Sequence, residues 1–223
     1  MKDIKPVKGL KHLQQLIEAG EHEHQDFKYL ISDSRKIARS ISAFANNDGG
    51  RLLIGVKDNG AIAGVRSEED LYMIQQAAQR YCQPEVEVTY TAIKAGRDIT
   101  VFIANIPRAF ERPIEVLEEH NTRQAYYRVK DMNVIAHPLM VASWKYSRRP
   151  DGTIFTTSDA ESVILRHLQT APNNQSTHND IALACHISLK SAATAITRLA
   201  SMGLLTFVYD SHQFKISLPD AND

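Results

Sequence analysis

Two hydrophobic periods alternate along this chain, and their order predicts its elements. Leu10, Leu13, Leu16 and Ile17 fall at helical spacing, so a helix is expected over 10–20, closed by Gly20. His24 to Tyr29 alternates weakly, as a strand does. Ile37, Ile41, Phe44 and Ala45 return to the helical interval over 34–46, with Asp33 or Ser34 as N-cap. The apolar run Leu52-Leu53-Ile54 then passes through Gly55 to Asp58-Asn59-Gly60. Such an Asx-Gly signal predicts a hairpin, with strands over 51–57 and 61–65. A helix over 68–81 cannot extend through Pro84. Strands are expected over 86–93 and 99–106, joined by Ala95-Gly96-Arg97, and a last one over 124–130. The order α-β-α-β-β-α-β-β-β describes an α+β domain, with helices packed on a mixed sheet.

From Arg148 to Ser158 the chain turns polar and punctuated, with Arg148-Arg149-Pro150-Asp151-Gly152. That shift predicts a linker at 148–157 between domains over 1–147 and 158–223. Beyond it, helices are expected over 160–168, 177–184 (capped by Ser176 or Thr177) and 188–202. Strands follow over 205–209 and 213–218, joined by Asp210-Ser211-His212. Helix, helix-turn-helix and hairpin in this order resemble the winged-helix domain of bacterial regulators.

Composition narrows the class. The 223 residues are 43% hydrophobic and 23% charged, an ordinary globular balance. No apolar run approaches the roughly 18 residues of a membrane span. Met1-Lys2-Asp3-Ile4-Lys5-Pro6 lacks the apolar stretch of a secretory signal. Cys82 and Cys185 form no spaced pair, so a reduced, cytoplasmic protein without structural zinc is expected. Net charge is zero, with 22 basic and 20 acidic side chains through residue 157 and four against six beyond it. The positive field therefore belongs to the larger domain and to Lys145, Arg148 and Arg149. There is no Walker-type phosphate loop, so nucleotide hydrolysis is not expected.

Four ordered blocks carry a family resemblance: Gly20-Glu21 with Asp26-Phe27-Lys28; Ala43-Phe44-Ala45-Asn46; Gly49-Gly50; and Ile54-Gly55-Val56-Lys57-Asp58-Asn59-Gly60. With Tyr127-Arg128-Val129-Lys130, they resemble the Schlafen-type Alba-like domain over roughly residues 8 to 140. Two departures stand out. Asp26 replaces the usual glutamate, keeping the charge on a shorter arm, and Lys130 replaces a usual glycine.

The resemblance implies that Glu21, Asp26 and Asp58 match the acidic positions that Schlafen-type nucleases use to hold Mg²⁺ or Mn²⁺. Oxygen ligands suit those ions, and the ion orients water and offsets charge during RNA cleavage. Lys28 shares a strand face with Asp26 and could meet the scissile phosphate. Spacing alone does not bring the carboxylates together. Five residues set Glu21 and Asp26 on opposite strand faces, or about 140° apart on a helix, so a bend near Gly20–Glu23 is required. Asp58 also reads as an ordinary turn residue. His22 and His24 read as exposed histidines, because no third ligand lies near them in sequence. Arg128 reads equally as a phosphate contact beside Lys130 or as half of a structural ion pair.

In the C-terminal domain, Ser188, Lys190, Ser191, Thr194 and Arg198 occupy polar positions of the third helix, opposite Leu189, Ala193, Ile196 and Leu199. Such side chains can reach base edges and phosphates in a major groove. The leading expectation is a nucleic-acid-binding protein, a DNA-binding transcriptional regulator needing no cofactor and forming a homo-oligomer, with RNA as the other partner. Two alternatives stay open. One is a metal-dependent endoribonuclease, and the other is an oligomeric scaffold with a protein-binding winged helix.

Overall fold

The computed structural model of the protein describes residues 4–65, 67, 69–148 and 157–219. The chain divides into two compact units, Met1–Ala136 and His137–Asp223.

The N-terminal unit opens with α1 (Leu10–Glu18), β1 (Gln25–Lys28), α2 (Ser34–Asn46) and β2 (Gly50–Ile54). Asp33 caps α2, accepting from the N–H groups of Arg35 and Lys36. Helix α3 (Glu69–Gln76) runs into a π turn over Ala77–Tyr81, and β3 (Cys82–Gln83) follows. Strands β4 (Thr89–Lys94), β5 (Thr100–Ile106), β6 (Glu115–Leu117), β7 (Arg123–Val129) and β8 (Met132–Ile135) complete it. One sheet has the order β1-β2-β5-β4, with β1 parallel to β2 and the other pairs antiparallel. The other, β3-β6-β7-β8, is antiparallel throughout.

Strand β2 is covered on both faces, which is why its apolar run is continuous rather than alternating. Leu52 and Ile54 join the large core around α2, while Leu53 joins Leu13 and Phe27 on the side of α1. Asn46 at the end of α2 ties the helix to the second sheet. Its side-chain amide donates to the carbonyls of Ile114 and Tyr126, each at 2.9 Å, and its oxygen accepts from Ile114 N–H at 2.7 Å. A fully buried asparagine with three backbone bonds is satisfied, and it explains the polar end of Ala-Phe-Ala-Asn.

The expected hairpin over 51–57 and 61–65 is reduced to a single bridge, Val56 to Ile62. The cause is Gly55, at φ +94, whose carbonyl accepts from both Ala63 and Gly64. A Cβ on Gly55 would lie 2.7 Å from Gly64 C, so the chain bends back closely where pairing was expected. The mixed α+β architecture agrees with the sequence. Strand β6, strand β8 and a helix after Ala136 were not foreseen.

That helix, α4 (Pro138–Ser147), opens the C-terminal unit, followed by α5 (Asp159–Thr170), β9 (Gln175–Ser176), α6 (His178–Ala184) and α7 (Leu189–Ser201). Strands β10 (Thr206–Asp210) and β11 (Gln213–Ser217) form a sheet of order β10-β11-β9. Ser158 and Glu161 make a complete capping box at the start of α5, and Thr177 and Ser188 cap α6 and α7. Ile164, Leu168, Ile181, Ile196, Leu199 and Ile216 form the core, with Leu139 of α4 against it. The division thus falls before α4, ahead of the linker expected at 148–157. Residues 149–156, including the candidate Arg149, lie outside the described residues.

Candidate functional site

Sequence spacing left the approach of Glu21 to Asp26 dependent on a bend, and the fold supplies one. Gly20 adopts φ +72, which an L side chain rarely takes. His22 and Gln25 then exchange two backbone hydrogen bonds, 3.0 and 3.1 Å, with Glu23 and His24 at the tip. This turn brings Glu21 back alongside β1, where its Oε1 accepts from Phe27 N–H at 2.8 Å. The neighbouring Asp26 carboxyl is close enough for a proton-mediated bond between the two when one is protonated.

Burial and that bond push the Glu21 carboxyl above the ordinary carboxylate range, against the opposing pull of Phe27 N–H and Lys28. Lys28 lies 2.6 Å from Asp26 Oδ2 and also donates to Phe27 O at 2.9 Å. The pair can therefore hold a proton between its carboxyls and offer oxygen ligands to a cation.

Beneath Asp26 sits Arg128, 1% exposed. Its Nη1 donates to Asn133 Oδ1 at 2.8 Å, Nε to His22 O at 3.4 Å and Nη2 to Gln25 O at 3.3 Å. Asp26 Oδ1 is 3.7 Å away, and the guanidinium lies 4.9 Å from the Phe44 ring centre. Enclosure on every side corrects the reading of Arg128 as a phosphate contact. It is a positioning residue that holds the turn and Asp26. The signal that could have found it was a cation two residues after Tyr126, on the same inward face of β7.

Glu21, His22, Glu23, His24, Lys130 and Asp131 line a shallow cleft of about 400 Å³. Lys130 is exposed at φ +55, the left-handed conformation that accounts for the glycine usual at this position, and its N–H points to Glu23 at 3.4 Å. His22 and His24 are half-buried rather than exposed. His22 Nδ1 accepts from His24 N–H at 3.2 Å, and a ring nitrogen of His24 lies 3.1 Å from Gly49 O. Burial, then the charges of His24, Arg51 and Arg128, hold His22 below the usual imidazole value.

Asp58 does not join them. It is exposed at the Asp-Asn-Gly tip and does not line the cleft that Glu21 lines. Among the described residues no three His, Cys, Asp or Glu side chains are placed to share one ion. The structure thus unites Glu21, Asp26 and Lys28, and leaves Asp58 apart.

In the C-terminal unit all five candidate positions of α7 line one cleft of about 480 Å³, closed on the other side by Ser158, Ala160 and Glu161. Lys190 is exposed. Ser188 accepts from Ser191 N–H at 3.1 Å, and Thr194 donates to Lys190 O at 3.0 Å. Arg198 is held by the buried Glu161, with Nη1 3.3 Å from Oε1. Lys145 and Arg148 are exposed at the end of α4.

A family profile described as Schlafen, AlbA_2 matches residues 21–137. The chain belongs to the Schlafen, AlbA_2 family. The match contains the Glu21–Asp26 pair, Arg128 and the acidic cleft, and it ends at the start of the C-terminal unit. No curated protein matches. Solved structures with a similar fold include two from bacteria. The DIP2311 protein from Corynebacterium diphtheriae aligns over 72% of this chain with 18% identity and a TM-score of 0.43. This chain spans 33% of that protein's length. The N-terminal domain of a putative ATP-dependent DNA helicase RecG-related protein from Nitrosomonas europaea aligns over 59% of this chain and 96% of its own. There the identity is 17% and the TM-score 0.38. Within the described residues no helix is long and apolar enough to cross a membrane.

Proposed function

We propose that this Schlafen, AlbA_2 protein binds nucleic acid, and that its C-terminal unit is a winged helix that lays α7 on duplex DNA as part of a transcriptional regulator. One observation carries the reading. Ser188, Lys190, Ser191, Thr194 and Arg198 line one side of α7, with Ser188, Lys190 and Thr194 exposed, while Ala192, Ala195, Ile196 and Leu199 are buried. At 13 residues, α7 is about 20 Å long and fits a major groove about 12 Å wide. Lys190 supplies a phosphate contact, and the hydroxyls supply short-range hydrogen bonds. Lys145 and Arg148 add positive charge at the end of α4. A homodimer presenting two copies of α7 belongs to the same proposal, and sedimentation tests it.

Gel shifts with duplex DNA and with tRNA, each with Mn²⁺ and with EDTA, test the function directly. Lys190→Ala is expected to weaken DNA binding and to lower its salt slope by about one. Unchanged affinity would remove α7 from the contact.

The Glu21–Asp26 pair favours a second reading, a metal-dependent ribonuclease. Mg²⁺ and Mn²⁺ are commonly held by one or two carboxylates, with water and phosphate oxygens completing the shell, and these two side chains fit that requirement. Such an ion would supply Lewis-acid chemistry. Lys28 would keep positive charge beside the phosphate, and Arg128 would fix Asp26 from below. In the same assay, Glu21→Gln and Asp26→Asn should abolish Mn²⁺-dependent tRNA cleavage, while Asp58→Asn should leave it intact. Absence of any cleavage by the parent protein would leave the binding role alone.

A further inference from the structure

Phe110 is fully exposed, at 102% of the reference area for its residue type. An aromatic ring left wholly in water calls for an explanation, because burying it against a partner removes a large apolar area. The ring stands beside a groove of about 300 Å³ in the N-terminal unit, whose apolar lining comes from Pro84, Val86, Pro107, Ala109 and Ile114. Val86 and Ile114 also belong to the main core, so the floor of the groove is fixed rather than formed by loose loops. Ala109 N–H is bonded to Ala45 O at 2.8 Å, which anchors the segment carrying Phe110 to the end of α2.

The rim decides the occupant. Glu85, Glu87 and Glu111 line the groove and are exposed. The one cation of the lining, Arg108, is paired with Asp48 at 2.9 Å. The groove is therefore apolar within and negative around its edge. Two copies of such a face repel each other, and a nucleic-acid backbone is repelled by it too. Cations with an apolar anchor between them are attracted.

We infer that this groove docks a short basic segment of another protein, with one aromatic or aliphatic side chain seated against Phe110 and flanking Lys or Arg residues meeting Glu85, Glu87 and Glu111. A groove of this size takes one anchoring side chain, and the neighbouring carboxylates select the charge around it. The surface lies apart from the Glu21–Asp26 cleft in its lining residues and is independent of the nucleic-acid reading.

Fluorescence anisotropy of the 223-residue chain with synthetic peptides of about ten residues tests this. One set carries a central Phe, Leu or Trp among lysines and arginines. A second replaces the basic residues by glutamate, and a third keeps the bases but has alanine at the centre. The first set is expected to bind, with affinity falling about tenfold in Phe110→Ala. It should fall further in Glu85→Gln/Glu87→Gln/Glu111→Gln, while circular dichroism and DNA gel shifts stay unchanged. Equal binding of the acidic or alanine-centred peptides would overturn the assignment. So would unchanged affinity in Phe110→Ala, or no binding by any basic peptide. Concentration-dependent self-association lost in Phe110→Ala would replace the partner by a second copy of this chain.

Discussion

Arg128 in the N-terminal unit and Glu161 in the C-terminal unit are both fully enclosed, at 1% and 0% exposure, yet their surroundings differ. Arg128 donates to three separate acceptors, faces Asp26 and lies over Phe44, so it joins the β1 turn, α2 and β8. Glu161 spends one oxygen on Ser158 N–H at 2.8 Å. Its other oxygen is close to Arg198 but not aligned for a hydrogen bond, and Arg198 Nε is also buried without a partner. The first is a saturated junction and the second a local, under-satisfied pair. A buried charge of the first kind fixes geometry. One of the second kind leaves its partner free to be drawn away by a competing anion.

The sharpest test removes the saturated charge. Arg128→Met leaves Asp26 without its buried cation and should destabilise the N-terminal unit by about 3–5 kcal/mol. Trp144, the single tryptophan, is buried in α4 of the C-terminal unit and reports that unit separately. Thermal melts should show an early far-ultraviolet dichroism transition with the Trp144 fluorescence transition unmoved. A joint shift would show that the two units unfold together.

Glu161→Gln is expected to cost less, about 1–2 kcal/mol, because glutamine's oxygen can still accept from Ser158 N–H. Trp144 fluorescence is the readout here. The same change releases Arg198, so DNA binding should tighten and its salt slope should steepen by about one. Weaker DNA binding would mean that the pair positions α7 rather than restraining its arginine.

Lys130→Gly should stabilise by about 0.5 kcal/mol, since φ +55 is strained for lysine and free for glycine. Chemical denaturation detects it, and a loss of stability would mean that the lysine side chain contributes more than its backbone costs.

The smallest effect is that of Glu21. Its folded carboxyl is raised from 4.5, so the proton is held more tightly folded than unfolded. The stability it contributes is complete below that value and is lost as pH rises through the raised one. Glu21→Gln keeps the acceptor for Phe27 N–H and should flatten this decline, seen as a smaller fall in melting temperature from pH 4 to 7. An unchanged slope would remove the shared proton from the account.

Much of the N-terminal unit was legible because local rules and burial agreed. Asp33 capped α2, Pro84 lay beyond α3 and its π turn, and the run at 52–54 became a strand covered on both faces. Failures came where a long-range contact overrode a local signal. Asp58-Asn59-Gly60 predicts a hairpin, but Gly55 took both donors that would have continued the pairing. The segment after Val129 hid a strand and a helix, because α4 gains its stability from packing on α7 rather than from a marked apolar stripe. For the candidate site, the residue types were visible and their grouping was not. Glu21 meets Asp26 through a turn that spacing only required, while Asp58 stays away.

The sequence by itself determined the α+β class, the order of most elements, the polar face of α7 and the acidic residues that could hold a cation. Those depend on short-range periodicity, capping and turn chemistry, which a few neighbouring residues settle. Tertiary structure alone decided that Arg128 is enclosed instead of offered to a ligand, that Glu161 restrains Arg198, and that α4 belongs with the C-terminal unit. It also decided that Phe110 remains in water beside an acidic rim. Each of these depends on what the rest of the chain places against a side chain, and burial and pairing are properties of that neighbourhood rather than of the residue.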